Sequence, residues 1–153
     1  MPDINWEIFR FSELMKEAVF DIFRLRVDVF VVEQQCAYPE VEPSDCDVET
    51  RHLTGYDDAG SLIAYARLLP PRPDSSNARL GRVVVRQEVR RRGIGHQLVR
   101  RALNEIQHCW GNVPIEISAQ EYLGKFYQGY GFVRVSDVYL DHGVPHVDML
   151  KNV

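Results

Sequence analysis

A single mixed β-sheet with helices packed on its faces, an α/β (α+β mixed sheet) architecture, is what this sequence predicts. Three observations carry the prediction. Segments alternating at period two are interleaved with segments whose apolar residues recur every three to four, in the order β-α-β-β-β-α-β-α-β-β. The 153 residues are 45% hydrophobic and 26% charged, the balance of a globular chain. That length suits one domain, expected over residues 1–153, able to bury a core without disulfides or metal.

The elements follow in order. Ile4 to Phe9 alternates and reads as a strand. Ser12 is placed to cap a helix, with Glu13 favourable in its first turn. Leu14, Ala18, Ile22, Leu25 and Val29 then form one helix face. Residues 34–50 carry Pro39, Pro43 and many acids, and read as a loop or short helical turn. His52–Tyr56 and Ser61–Leu69 are strands joined by the turn Asp57-Asp58-Ala59-Gly60. Residues 70–77 form a polar, proline-rich loop. Leu80–Arg86 centres on Val83-Val84-Val85, a β-branched run suited to a central strand. Ile94, Leu98, Ala102, Ile106 and Cys109 make a second helical stripe, ended at Gly111-Asn112. Val113–Ala119 is a strand, Glu121–Tyr130 a short helix stopped by Gly131. Phe132–Leu140 and His146–Leu150 are strands joined through Asp141-His142-Gly143.

Several function classes are disfavoured. No apolar run approaches the roughly 18 residues of a membrane span. Met1 to Glu7 has neither a basic nor an apolar signal-peptide region. Three cysteines, Cys36, Cys46 and Cys109, suit a reducing cytoplasm. A pairing of Cys36 with Cys46 stays open. Zinc on Cys36, Cys46 and His52 is set aside, because the cysteines are too far apart for a zinc knuckle and a fourth ligand is missing; no metal is expected.

Charge is unevenly spread. Residues 79–101 hold eight arginines against Glu88, while residues 33–58 hold eight acids against Arg51. The acidic stretch suggests a rim that attracts a cationic amine, so amides at Glu40, Glu42, Asp45 and Asp47 should raise KM for such a substrate. The arginines could meet nucleic-acid phosphates, but an isoelectric point near 5.7 and the lack of a recognition motif argue against it.

The most informative stretch runs from Val83-Val84-Val85 through Arg90-Arg91-Arg92-Gly93-Ile94-Gly95-His96 into a helix. Arginines at a helix start oppose the helix dipole, a conflict that an anionic ligand removes. Gly93 and Gly95 let backbone amides approach phosphate oxygens. The P-loop pattern fails because His96-Gln97 stand where Lys-Ser/Thr is needed. The dinucleotide fingerprint fails because Leu98 replaces its third glycine.

Arg90 to Gly95 resembles the acetyl-CoA pyrophosphate loop of the GCN5-related N-acetyltransferase (GNAT) superfamily. Ala119-Gln120-Glu121-Tyr122-Leu123-Gly124-Lys125-Phe126-Tyr127 through Gly131-Phe132 resembles its second CoA motif. Arg26–Gln34 and Pro145-His146 further resemble its ElaA-like branch. The resemblance implies a GNAT-like acyl-CoA N-acyltransferase fold and acetyl-CoA as co-substrate. It implies that Val83, Val84 and Val85 pair with the pantetheine arm. Amides of Arg91 to His96, with Arg90, would hold the pyrophosphate, and Gln120 and Tyr127 would add contacts. Tyr127 would be the general acid for the leaving thiolate; its other reading is a packed aromatic.

A lysine-like amine is uncharged in only about one molecule in a thousand at pH 7, so a base or water chain is expected. Glu33, His52 and Glu116 are the candidates, and none is singled out. A CoA-binding sensor without catalysis is the alternative. A homodimer through the last hairpin stays open by analogy with the superfamily.

Overall fold

The computed structural model describes residues 3–153; Met1 and Pro2 of the expected domain lie outside that range. One sheet holds the strands in the order β1-β2-β3-β4-β5-β8-β6, with β7 beside β8. The strands are β1 (Asn5–Phe9), β2 (Arg51–Tyr56), β3 (Leu62–Leu69), β4 (Ala78–Val85), β5 (Ile115–Gln120), β6 (Phe132–Arg134), β7 (Tyr139–Asp141) and β8 (Val144–Lys151). The helices are α1 (Lys16–Arg26), α2 (Ile94–Trp110) and α3 (Gly124–Gln128). β1 to β4 form an antiparallel meander, and β4 and β5 are parallel. β8 is antiparallel to β5, β6 and β7. The mixed sheet predicted from the periodicities is present.

Both faces of the sheet are covered, which is why every residue of β3 is buried. The α2 stripe of Leu98, Val99, Ala102 and Ile106 packs on Leu53, Ala64, Ala66, Leu68 and Leu80. On the other face, Ile22, Leu25 and Val29 pack on Leu62, Tyr65 and Val84.

Three local expectations change. Ser12 does not cap α1. Phe11–Glu13 forms a 3-10 turn whose own start is closed by Glu13 accepting from the Arg10 amide at 2.7 Å, and α1 begins only after Met15. After Arg26 the helix widens into a π-helical segment, Val27–Glu33, with Gln34 N–H bonded to Val29 C=O. π-segments often mark functional sites, and this one turns Val29, Phe30 and Glu33 towards β4. The single strand expected over Phe132–Leu140 is two. Between them the Ser136 hydroxyl accepts from the Asp148 amide at 2.9 Å, standing in for a ladder carbonyl.

β4 carries the feature that opens the site. Its pairing with β3 skips a residue: Arg82 and Val83 lie opposite Ala66 alone, and Arg82 has φ +50°. Such a bulge bends its strand and re-aims side chains.

Candidate active site

β4 and β5 are bonded only at Ala78↔Ile115 and Arg79↔Glu116. Beyond that point the strands part, and a cavity of about 420 Å³ fills the gap. It lies at the carboxyl ends of the parallel pair, where open α/β sheets place their ligands. Leu80 to Val85 form one wall, and Ser118 to Gln120 the other. The π-segment and the start of α2 close one end, and α3 contributes Phe126 and Tyr127. Val84 is buried, whereas Val83 and Val85 are only half-buried beside the gap.

The start of α2 has the features that suit an anion. Gly93 occupies the position before the first helical residue with φ +76°, a conformation that glycine adopts without strain. It offers no side chain to cap the helix, and the first turn holds no acid. The amides of Ile94, Gly95 and His96 are those a helix start leaves without intrahelical acceptors. Nothing in the protein's own packing demands the small residues there. A Cβ on Gly93 would meet no atom within 4 Å, and one on Gly95 only Phe126, at 3.8 Å. Arg91 and Arg92 are exposed and have no ion-pair partner among the described residues. Free amides, a positive dipole end and two unpaired guanidiniums together fit a pyrophosphate.

Not every residue of the loop is free for that task. Arg90 donates to Glu33 through both terminal nitrogens, at 2.6 and 3.0 Å, and through Nε to the Val85 carbonyl at 2.9 Å. Its guanidinium is committed to tying the loop to the π-segment. Val83, Val84, Val85, Arg90, Arg91, Ile94, Gly95, Gln120 and Tyr127 line the cavity. Arg92, Gly93 and His96 belong to the same turn but not to that lining. His96 is turned to the hydroxyl of Tyr130 and packs against the Phe126 ring, with centroids 5.0 Å apart.

Tyr127 stands in the cavity wall, 5% exposed, its ring edge-on to Phe126 and Phe132. It is therefore both packed aromatic and cavity residue. Its hydroxyl has no hydrogen-bond partner among the described residues, and burial pushes its pKa above the ordinary tyrosine range. It therefore keeps its proton at neutral pH.

The base candidates fare differently. Glu33 lines the cavity, held by Arg90. His52 does not reach the cavity. It is buried with Nδ1 2.7 Å from the Tyr65 hydroxyl and Nε2 2.9 Å from the Asp45 carbonyl. A carbonyl only accepts, so Nε2 carries the hydrogen and Nδ1 accepts from Tyr65. Burial lowers its pKa, and it is a neutral structural histidine rather than a base at the site. Glu116 lies at the closed end of the β4–β5 pair, accepting from Asn77 at 3.3 Å.

The expected acidic rim is also corrected. Glu40 and Asp45 are buried, 3% and 0% exposed, and point inward. Glu40 accepts from Arg26 at 2.6 Å and Arg82 at 2.9 Å. Asp45 accepts from Arg26 at 2.7 Å and Arg67 at 3.0 Å. Glu42 joins them through Arg67 at 2.8 Å. These acids neutralise arginines of α1, β3 and β4 and so pin the 34–50 loop against the bulge. Cys36 and Cys46 are free thiols, not a pair.

The structure adds cavity residues that sequence reasoning did not single out for the site: Tyr38, Ser118, Asp141, His142 and His146. The turn at Asp141-His142-Gly143 was legible. That β8 inserts between β5 and β6, bringing this hairpin over the gap, was not.

A twisted mixed sheet parted between two parallel strands, with an anion-ready helix start at the gap, defines an acyl-CoA N-acyltransferase fold. Residues 24–153 match the family model described as an acetyltransferase (GNAT) domain, and the chain belongs to that superfamily. It is similar to protein ElaA of Escherichia coli K12, 36% identical over 150 residues covering 98% of this chain and 97% of ElaA. The crystal structure of E. coli ElaA superposes with a TM-score of 0.93, covering 98% of this chain and all of that one. An acyl-CoA N-acyltransferase from Pseudomonas aeruginosa superposes equally well, at TM-score 0.93 and 39% identity, covering 97% and 99%. An aminoglycoside 6'-N-acetyltransferase complexed with coenzyme A shares the fold at 16% identity and TM-score 0.70, covering 95% and 96%.

Proposed function

We propose that the protein is an acetyl-CoA-dependent N-acetyltransferase that moves an acetyl group to a primary amine on a small molecule or a peptide. The observation that carries this is the parting of β4 from β5 beside the uncapped start of α2. It leaves strand edge, amide donors and a proton-bearing tyrosine around one cavity. Acetyl-CoA supplies the activated thioester. The chain's own groups bind and move protons. The β4 edge at Val83–Val85 has backbone groups to pair with an extended arm. Amides at 94–96 and the guanidiniums of Arg91 and Arg92 hold the diphosphate. Tyr127 donates its hydroxyl hydrogen to the sulfur as it leaves. The acceptor amine attacks the thioester carbonyl directly, with no acyl-enzyme.

The amine must first lose a proton, at a cost of roughly 4–5 kcal/mol for a lysine-like group at pH 7. No free carboxylate meets it: of the cavity's acids, Glu33 is paired to Arg90 and Asp141 to His142. The free thiols fit a reducing cytoplasm. Thiol release from acetyl-CoA, and from longer acyl-CoA thioesters, over a panel of primary amines tests the reading. Amine-dependent release with acetyl-CoA is expected. CoA binding without release with any amine would leave a sensor, and no CoA binding would overturn the assignment.

A further inference from the structure

Resting on the acetyl-transfer reading above, we infer that His146 is the general base that deprotonates the acceptor amine. His146 sits in β8, opposite Gln120 of β5 on one side and Tyr139 of β7 on the other. Paired residues of adjacent strands share a face, and that face, with Ser118 and Gln120, lines the cavity. The alternate residues, Val147 and Met149, are in the core.

The ring is held in one useful orientation. Nδ1 lies 2.8 Å from the Val144 carbonyl. Because a carbonyl only accepts, the hydrogen of the neutral ring is on Nδ1. Nε2 is then an acceptor, and no group among the described residues bonds to it. The Tyr139 ring stacks on the imidazole, at 6.1 Å and 27°. Tyr139 is fixed in turn, donating to Asp148 at 2.6 Å and meeting the Ser118 hydroxyl.

Of the competing groups, Glu33 is clamped by Arg90 and the Tyr38 hydroxyl donates to Glu40. His142 also lines the cavity, but its Nδ1 bonds the Asp141 carboxylate at 2.8 Å and its side chain is half exposed at the hairpin tip, whereas His146 is part-buried. On the strands around His146 the charged and titratable groups are Glu116, Arg134, Tyr139, Asp141, Asp148 and Lys151, and the cavity wall adds Glu33, Cys36, Tyr38, Arg82, Arg90, Arg91, Tyr122, Tyr127 and His142. Imidazole is the side chain most often used as a general base.

The proton balance closes. Nε2 takes one proton from R–NH3+. The freed nitrogen lone pair forms the N–C bond, and the C–S bond breaks. The leaving sulfur takes the Tyr127 proton, and the second proton lost by nitrogen returns to Tyr127. His146 releases its proton to solvent, the one proton that net acetylation of an ammonium yields.

The test is a pH profile of kcat/KM for a lysine-like amine with wild type, His146→Gln and His146→Ala. Both variants should lose roughly 10²-fold at pH 7, with the deficit shrinking as pH rises towards the amine's own pKa. CoA affinity should not change, which controls for folding. Exogenous imidazole should restore part of the rate to His146→Ala. Independently of turnover, nitrogen NMR of the unmutated protein should show neutral His146 as the Nδ1–H tautomer. A wild-type profile in His146→Gln, or the Nε2–H tautomer, would overturn the assignment alone. An unmutated protein that releases no thiol with any amine would overturn acetyl transfer and this role with it.

Discussion

Exchanging Asp45 for Asn removes one charge from the centre of the buried cluster while barely changing its shape. Oδ1 accepts from Arg26 and Arg67 at 2.7 and 3.0 Å, and Oδ2 from Arg26 at 3.2 Å and the Glu42 amide at 2.8 Å. Burial by itself would raise this carboxyl's pKa. The Arg26 hydrogen bonds, the Glu42 amide and the charges of Arg26 and Arg67 outweigh it, holding the pKa at about 2 against an ordinary 3.8. At about 1.4 kcal/mol per unit, the difference corresponds to roughly 2–3 kcal/mol of folding stability. Because the folded-state value is the lower one, that stability is present above about pH 4 and drains away towards pH 2. The variant also leaves two guanidiniums short of a counter-charge in a dry site, so the total loss at pH 7 should be about 3–5 kcal/mol. For a chain of this length that is a Tm drop of roughly 6–20 °C. Thermal melts followed by circular dichroism from pH 7 to pH 2.5 measure it. The gap between wild type and variant should be widest at neutral pH and narrow steadily below pH 4. A loss under about 1 kcal/mol, or a gap independent of pH, would refute the role given to this cluster. A stable variant with raised KM for cationic amines would restore the acidic rim.

Three further outcomes are expected. Gly93→Glu should weaken CoA binding at least about tenfold more than Gly93→Ala, because both strain the left-handed backbone and only the first sets a carboxylate beside the phosphates; calorimetry compares them. Tyr127→Phe should lower kcat by about 10²-fold or more while leaving the Kd for CoA and the melting temperature nearly unchanged, since its hydroxyl bonds no group among the described residues; normal turnover would hand that role to water. Gly55→Ala puts a Cβ 2.7 Å from Trp6 Cζ3, so urea unfolding should show a loss of about 1–3 kcal/mol with CoA affinity intact.

Local patterns were legible where one element decides them. The β-branched run at Val83–Val85, the glycines before α2 and the helical stripe of Leu98, Ala102 and Ile106 each carry their own signal, and each element forms where it was expected. What escaped depends on partners far along the chain. Glu40 and Asp45 look like surface acids until α1, β3 and β4 bring Arg26, Arg82 and Arg67 onto them. His52 looks available until Tyr65 and the Asp45 carbonyl take both its nitrogens. His146 alternates with core residues, and the sequence marked it only as part of the Pro145-His146 resemblance, with no role at the site. Only the insertion of β8 beside β5 puts it over the gap. The split between β6 and β7 turns on one hydroxyl, Ser136, replacing a backbone acceptor.

The most direct measurement is binding of CoA and acetyl-CoA to the unmutated protein, by calorimetry and by thermal shift beside ATP and NAD. Ligand at about 100-fold over Kd adds roughly 2.7 kcal/mol, a rise of order 5–10 °C for a chain of this size. One-to-one binding of both CoA species, with little response to ATP or NAD, is the result expected if the gap between β4 and β5 is an acetyl-CoA site. No CoA binding, or equal shifts with all four ligands, would contradict it.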